Sequence, residues 1–321
     1  MILLLPVSEE LKRKLKKVNE SLRKIYPISN LDQTEIRERL SRYGKFYKIE
    51  KWKDDQLKDW LSSKTLVGVD GSVNSTKGMQ TRTLSVFQAL AKGTRGEEKW
   101  AADVFTPLLA PDEEEEEGQA AREAKERGKL LSGLELEVAR FAIEHWHPKV
   151  VLMDGSLLHF YIDHLEAWMQ VVEVAEKTGT LLVGVAEEIG TRSLVKEVFP
   201  ELKNWSDRDL LYGVLQVGEA FEWEDWSPTG SQMWKMVLRS SRSPQPIGID
   251  GLESQREYRH DLVRLIYTLT PEQGRGVPFW LDIVDNQVRV TDPLVETMVE
   301  QYIDPDLRHR LLVPKRTERV I

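Results

Sequence analysis

The chain of 321 residues contains no cysteine. That excludes disulfide bonds and thiolate metal centres, leaving carboxylate oxygens and imidazole nitrogens as metal ligands, a set that favours Mg2+ or Mn2+ over zinc. Long hydrophobic runs are also absent. The opening apolar stretch, residues 2–7, is too short for a leader core and has no basic residues before it, and nothing later approaches the ~20 apolar residues that span a bilayer. A cytoplasmic protein without a membrane partner is expected. Histidine is scarce, and its spacing is wrong for a helical zinc site: His145 and His147 flank Trp146, and His159 and His164 are five residues apart. His159 is close enough to Asp154 in sequence to make an outer contact there. Nor is there an excess of basic charge, the formal net charge being -8. This weighs against a broad nucleic-acid-binding face, because phosphate recognition leaves a basic footprint, but it allows a local basic channel around an acidic site.

What is present is an ordinary globular composition, 40% hydrophobic and 31% charged, on a chain long enough to bury a large core. Ten tryptophans are many for this length. Some could stack on unpaired bases, but such residues serve more often as core and interface anchors. Leu11, Leu15, Val18 and Leu22 fall on one stripe of a helix over residues 8–24, with lysines and arginines on its other faces. The stripe implies docking on the core, or else a self-association arm. A second helix is expected over residues 32–43.

The pattern then becomes strand-like at residues 65–70, 83–90 and 99–106, which reads as a three-stranded meander. Residues 111–118, with five consecutive glutamates, form a solvated linker. Helical periodicity at residues 119–145 leads to an apolar strand at 149–154, a crossover helix at 161–178 and a buried strand at 181–186. Three antiparallel strands followed by helix, strand, helix, strand is the order of an RNase H-like α/β fold, a mixed sheet flanked by helices. Beyond it the reading gives a helix at 207–220, a strand at 234–239, a glycine-rich loop, a helix at 253–265 and a helix at 282–290. The implied division is an N-terminal helical extension at 1–60, a catalytic domain at 61–292, and a C-terminal helix and basic tail at 293–321.

Two of the strands end in the same triplet, Asp70-Gly71-Ser72 and Asp154-Gly155-Ser156. Asp-Gly is a common turn pair, and a single copy would mean little. Two copies, each after an apolar strand, would bring two carboxylates to one sheet edge, where they repel unless a cation neutralises them. Oxygen-only ligation suits Mg2+ or Mn2+, and two such ions ~3.5–4 Å apart support phosphodiester hydrolysis. A strand ending in Asp-Gly also opens the first phosphate loop of actin-like and sugar-kinase-like ATP-binding proteins. The segment after Asp154 lacks the second glycine pair that reading needs.

These residues carry a resemblance. Val67-Gly-Val-Asp70-Gly-Ser72, Glu137-Val-Ala-Arg, Leu152-Met-Asp154-Gly-Ser-Leu157, Leu182-Val-Gly-Val185, Ser206-Asp207 and Gly276-Val-Pro278-Phe-Trp-Leu-Asp-Ile-Val-Asp285 resemble, in order and spacing, the motifs of the NurA nuclease family. The resemblance implies an RNase H-like core and a Mn2+-dependent (or Mg2+-dependent) deoxyribonuclease holding two ions. It also implies exonuclease action on DNA ends with single-strand endonuclease activity in double-strand break resection, a homodimer, and a hexameric HerA-type translocase as partner. Carried over by position, Asp70, Glu137, Asp154 and Asp285 are the catalytic and metal-binding acids. Glu135 is the competing choice on the same helix, and the seventeen-residue spacing to Asp154 selects Glu137. The chain departs from the family after residue 185, where a lysine is usual and Glu187 stands instead. Arg192, Lys196, Arg239 and Arg242 are the candidate substitutes as DNA contacts, and a degenerate, non-cleaving adaptor for the translocase is the alternative reading.

Overall fold

Residues 66–69 and 150–153 alternate strictly between two apolar environments. Val67, Val69, Val151 and Met153 join one buried cluster, while Leu66, Val150 and Leu152 join another. Such period-two alternation with both sets apolar marks strands covered on both faces. The computed structural model describes residues 8–26, 33–78, 82–109, 119–223 and 232–312. The acidic run expected as a linker lies outside these, as do the opening apolar stretch and the basic C-terminal tail.

In chain order the elements are α1 (Glu9–Ile25), α2 (Gln33–Leu40), β1 (Gly44–Lys48), α3 (Asp54–Leu61), β2 (Leu66–Ser75), β3 (Ser85–Gly93), β4 (Glu98–Phe105), α4 (Gln119–Trp146), β5 (Val150–Asp154), α5 (Leu157–Asp163), α6 (Leu165–Thr178), β6 (Leu181–Ala186), α7 (Ser193–Val198), α8 (Asp207–Leu211), β7 (Glu219–Trp223), β8 (Met233–Arg239), β9 (Ile247–Leu252), α9 (Arg259–Leu269), α10 (Phe279–Val288) and α11 (Asp292–Tyr302). The strands form one nine-stranded mixed sheet in the order β1-β7-β8-β9-β6-β5-β2-β3-β4. Within it β2, β3 and β4 are an antiparallel meander, and β5 and β6 continue parallel to β2. With α4 joining β4 to β5, and α5 and α6 joining β5 to β6, this is the RNase H-like arrangement.

One face of the sheet packs on α4 and α6 through Leu136, Ala139, Ile143, Trp168 and Val171. The other packs on α9 and α10 through Leu262, Val263, Ile266 and Leu281. Among the described residues no helix is long and apolar enough to cross a membrane.

Several elements differ from the sequence reading. The first Asp-Gly-Ser is not a turn: the ladder from Val67↔Gly93 to Ser75↔Ser85 carries β2 straight through it. The helix expected at 207–220 stops at Leu211, because Gly213 and Gly218 take left-handed backbone angles (φ 73° and 77°), and β7 follows. The glycine-rich loop contains β9, which pairs with β6 and β8 and buries Ile247 and Ile249. The crossover is two helices broken at His164. Within the first sixty residues, β1 pairs with β7 as an edge strand of the same sheet. Helix α1 buries none of its residues, and Leu11, Leu15, Val18 and Leu22 are all about half exposed, so the expected docking of its stripe on the core is not seen.

Candidate active site

Strands β2 and β5 run parallel with Val69 opposite Met153. The next residue on each is an aspartate, so Asp70 and Asp154 stand side by side on strands spaced ~4.8 Å apart. Pleating sends Asp70 to the same face as Gly68, whose missing side chain is replaced by Trp280 and Val284 of α10. Beyond Asp154 the chain leaves the sheet: Gly155 adopts φ 106°, open only to glycine without strain, and its N–H donates to the Val185 carbonyl at 2.9 Å.

The third acid comes from the opposite face. Gly71 points toward α4, and a Cβ there would lie 2.8 Å from Oε1 of Glu135. The glycine is therefore a gap through which Glu135 reaches the two aspartates. Glu135 is buried and lies in phase with Ser132, Leu136, Ala139, Ala142 and Ile143, the stripe α4 presents to the sheet. Glu137, about 200° further round the helix, is half exposed, with Lys99 of β4 at 3.9 Å. The structure thus brings Glu135, not Glu137, to Asp70 and Asp154. The helical phase overrides the seventeen-residue spacing.

Asp285 enters from α10, held by Arg289 at 2.6 Å with Arg275 at 3.7 Å. Burial, followed by the charge of Asp154, pushes the Asp70 carboxyl up to about 7, against a 2.7 Å hydrogen bond that its Oδ1 accepts from Gly71 N–H; Asp285 adds to the rise. Burial likewise raises Asp154 to about 6, with Arg275 opposing and Asp285, Glu187 and Asp282 adding. Glu135 is driven well above its ordinary range, first by burial and then by Asp70 and Asp154. Convergent carboxyls with an unmet electrostatic demand are a donor set that fits hard divalent cations. Among the described residues no group of three or more such side chains is arranged to hold a metal ion.

The arginines expected at DNA are engaged elsewhere. Arg192 donates to the carbonyls of Trp205 and Lys203, and lines a cleft of about 280 Å3 with Lys196, Phe199 and Leu202. Arg239 spends its guanidinium on the carbonyls of Leu215, Arg242 and Ser243, and Arg242 pairs with Glu272 on the surface. A cation whose charge acts on Asp70 and Asp154 is Arg275, which sequence reasoning passed over. His159 bonds Ser132 and Asp163 rather than Asp154.

Asp250, on β9, was also missed. Its buried carboxylate accepts hydrogen bonds from Ser156 Oγ and, at 2.9 Å, from Leu157 N–H, thereby holding the turn that follows Asp154 and capping α5. A buried aspartate flanked by glycines inside an apolar alternation, Ile247-Gly-Ile-Asp-Gly-Leu252, was the available signal.

Strand order and a carboxyl cluster on the neighbouring strands β2 and β5 together describe an RNase H-like hydrolase fold. Residues 64–290 match the model of the NurA domain, and the chain belongs to the NurA family; membership makes it a nuclease. No curated protein sequence matches the chain. Distant likenesses exist among solved structures. The catalytic domain of human endonuclease V is 17% identical, over 84% of this chain and 95% of that one, at a TM-score of 0.38. Ciona intestinalis endonuclease V, in complex with a DNA 24mer containing an inosine followed by a ribo-adenosine, is 14% identical over 77% and 99%, at 0.34. Thermus thermophilus RuvC is 16% identical over 52% and 85%, at 0.15.

Proposed function

We propose that the protein hydrolyses phosphodiester bonds at DNA ends, using Mn2+ or Mg2+ ions, two in number, held by Asp70, Glu135, Asp154 and Asp285. The observation that carries this reading is the group of buried carboxyls that β2, α4 and β5 bring together from both faces of the sheet, with Asp285 of α10 in electrostatic reach. Bound there, the ions would supply an activated water and stabilise the leaving oxygen. Asp70 feels the charge of Asp154 and Asp285 and acts on Glu135, so it would be one of the carboxylates that hold the ions. Asp250 keeps the Asp154 turn in position through Ser156 and Leu157. Gly71 keeps the passage for Glu135 clear.

The finer assignments rest on the family resemblance: exonuclease action with single-strand endonuclease activity, a role in double-strand break resection, a homodimer, and a HerA-type hexameric translocase as partner. Digestion of end-labelled single- and double-stranded DNA with Mn2+, Mg2+ or EDTA, alongside Asp70→Ala, tests the reading. Metal-dependent shortening that the variant loses is expected. Absence of cleavage with every metal, even with the translocase added, would overturn it in favour of a non-cleaving adaptor.

A further inference from the structure

Arg275 sits between two glycines of left-handed or extreme backbone angle, Gly274 (φ 151°) and Gly276 (φ 96°). The carbonyls of these glycines accept hydrogen bonds from the buried hydroxyls of Ser241, at 3.3 Å, and Ser240. A loop pinned from beneath on both sides of one residue fixes where that side chain starts. Its guanidinium extends over the acid site: one nitrogen lies 2.8 Å from Glu187, another 2.8 Å from Asp282 and 3.7 Å from Asp285, and its charge acts on Asp154 and Asp70.

Two features separate this arginine from a structural brace. Its side chain remains 41% exposed beside the acids, and its five N–H groups outnumber the three hydrogen bonds its nitrogens donate to Asp282 and Glu187. Both of its close partners are themselves partly exposed carboxylates that it does not bury, so the pairing adds little to stability. A planar fork of five N–H donors, fixed at the mouth of an acidic site and shared among more carboxylates than it can neutralise, suits a tetrahedral phosphate anion.

We propose that Arg275 is the phosphate-contacting residue of this site, held on Glu187 and Asp282 until divalent cations take over the charge of the acid cluster. It then turns to the backbone phosphate next to the bond to be cut. The inference rests on the nuclease reading above. It also gives Glu187 a purpose: a carboxylate that parks the arginine at the end of β6.

The test uses the full chain and a fluorescein-labelled phosphorothioate oligonucleotide, with Ca2+ in place of Mn2+. Binding is followed by anisotropy across a salt series, with Mn2+ affinity by calorimetry and thermal unfolding measured in parallel. Arg275→Ala is expected to weaken DNA binding about tenfold, as loss of one charge-assisted contact does, and to reduce the salt slope by about one. Mn2+ affinity and unfolding temperature should hold or rise. Arg275→Lys should keep the salt slope. Glu187→Gln, which releases the arginine without removing it, should tighten DNA binding. Unchanged DNA affinity in Arg275→Ala and Glu187→Gln overturns the proposal, and so does loss of Mn2+ binding or fold in Arg275→Ala without a gain in Glu187→Gln. A wild-type chain that binds neither Mn2+ nor DNA overturns the nuclease reading itself, a result separable from failure of the arginine variants alone.

Discussion

Replacing Asp70 by asparagine should make the metal-free protein more stable at neutral pH while removing its function. The carboxyl rises from 3.8 to about 7 on folding. A raised acid contributes stability that is fully present below its ordinary value and is lost as pH climbs through the folded value. At ~1.4 kcal/mol per pKa unit, the ionised carboxyl costs the fold about 4 kcal/mol above pH 7, an upper bound because the acids titrate as a set. Between pH 5 and pH 8 the wild-type chain should therefore lose up to about 3 kcal/mol through this group. Asparagine keeps the Oδ1 acceptor for Gly71 N–H and carries no charge, so Asp70→Asn should lose much less over that interval. Urea unfolding in EDTA at pH 5, 6.5 and 8 reads the difference directly. Saturating Mn2+ should stabilise the wild type by about 2.7 kcal/mol at a hundred times its dissociation constant, and the variant hardly at all. Parallel pH profiles of wild type and Asp70→Asn would show that the carboxyl carries no such electrostatic load.

The choice between the two glutamates of α4 is open to a direct comparison. Glu135→Gln should lower DNA cleavage a hundredfold or more, on the order expected for losing a metal-holding carboxylate, with the fold intact. Glu137→Gln, on an exposed face beside Lys99, should cleave at nearly the wild-type rate and change stability by no more than about 0.5 kcal/mol; the reverse ranking would return the role to Glu137. Asp250→Ala strips Ser156 and Leu157 N–H of their acceptor in a buried setting and should cost about 2–3 kcal/mol in urea unfolding together with a fall in cleavage. Equal stability with full activity would show that the Asp154 turn holds itself.

Much of the catalytic core was legible because its strands are continuous apolar runs with few alternative uses. Residues 150–153 and 181–185 are buried on both faces, and Asp154 ends the first of these runs. The meander and the parallel pair follow from the lengths of the connections. Less legible were β1 and β9, which are held by their neighbours: Gly44–Lys48 has half-exposed side chains, and Ile247–Leu252 is one-third glycine. Their strand character comes from ladders with β7, β6 and β8 rather than from propensity.

By itself the sequence determined the order of elements from β2 to β6 and the two aspartates, Asp70 and Asp154, that follow apolar runs on neighbouring strands. Local spacing and hydrophobic pattern carry that information directly. Only the tertiary structure decided which glutamate joins them, because that depends on the rotational phase of α4 against the sheet and on a gap left by Gly71. Only the tertiary structure brought Arg275 to the acids. Arg275, 88 positions beyond Glu187, meets it and lends its charge to Asp154 because the loop before α10 is pinned by Ser240 and Ser241.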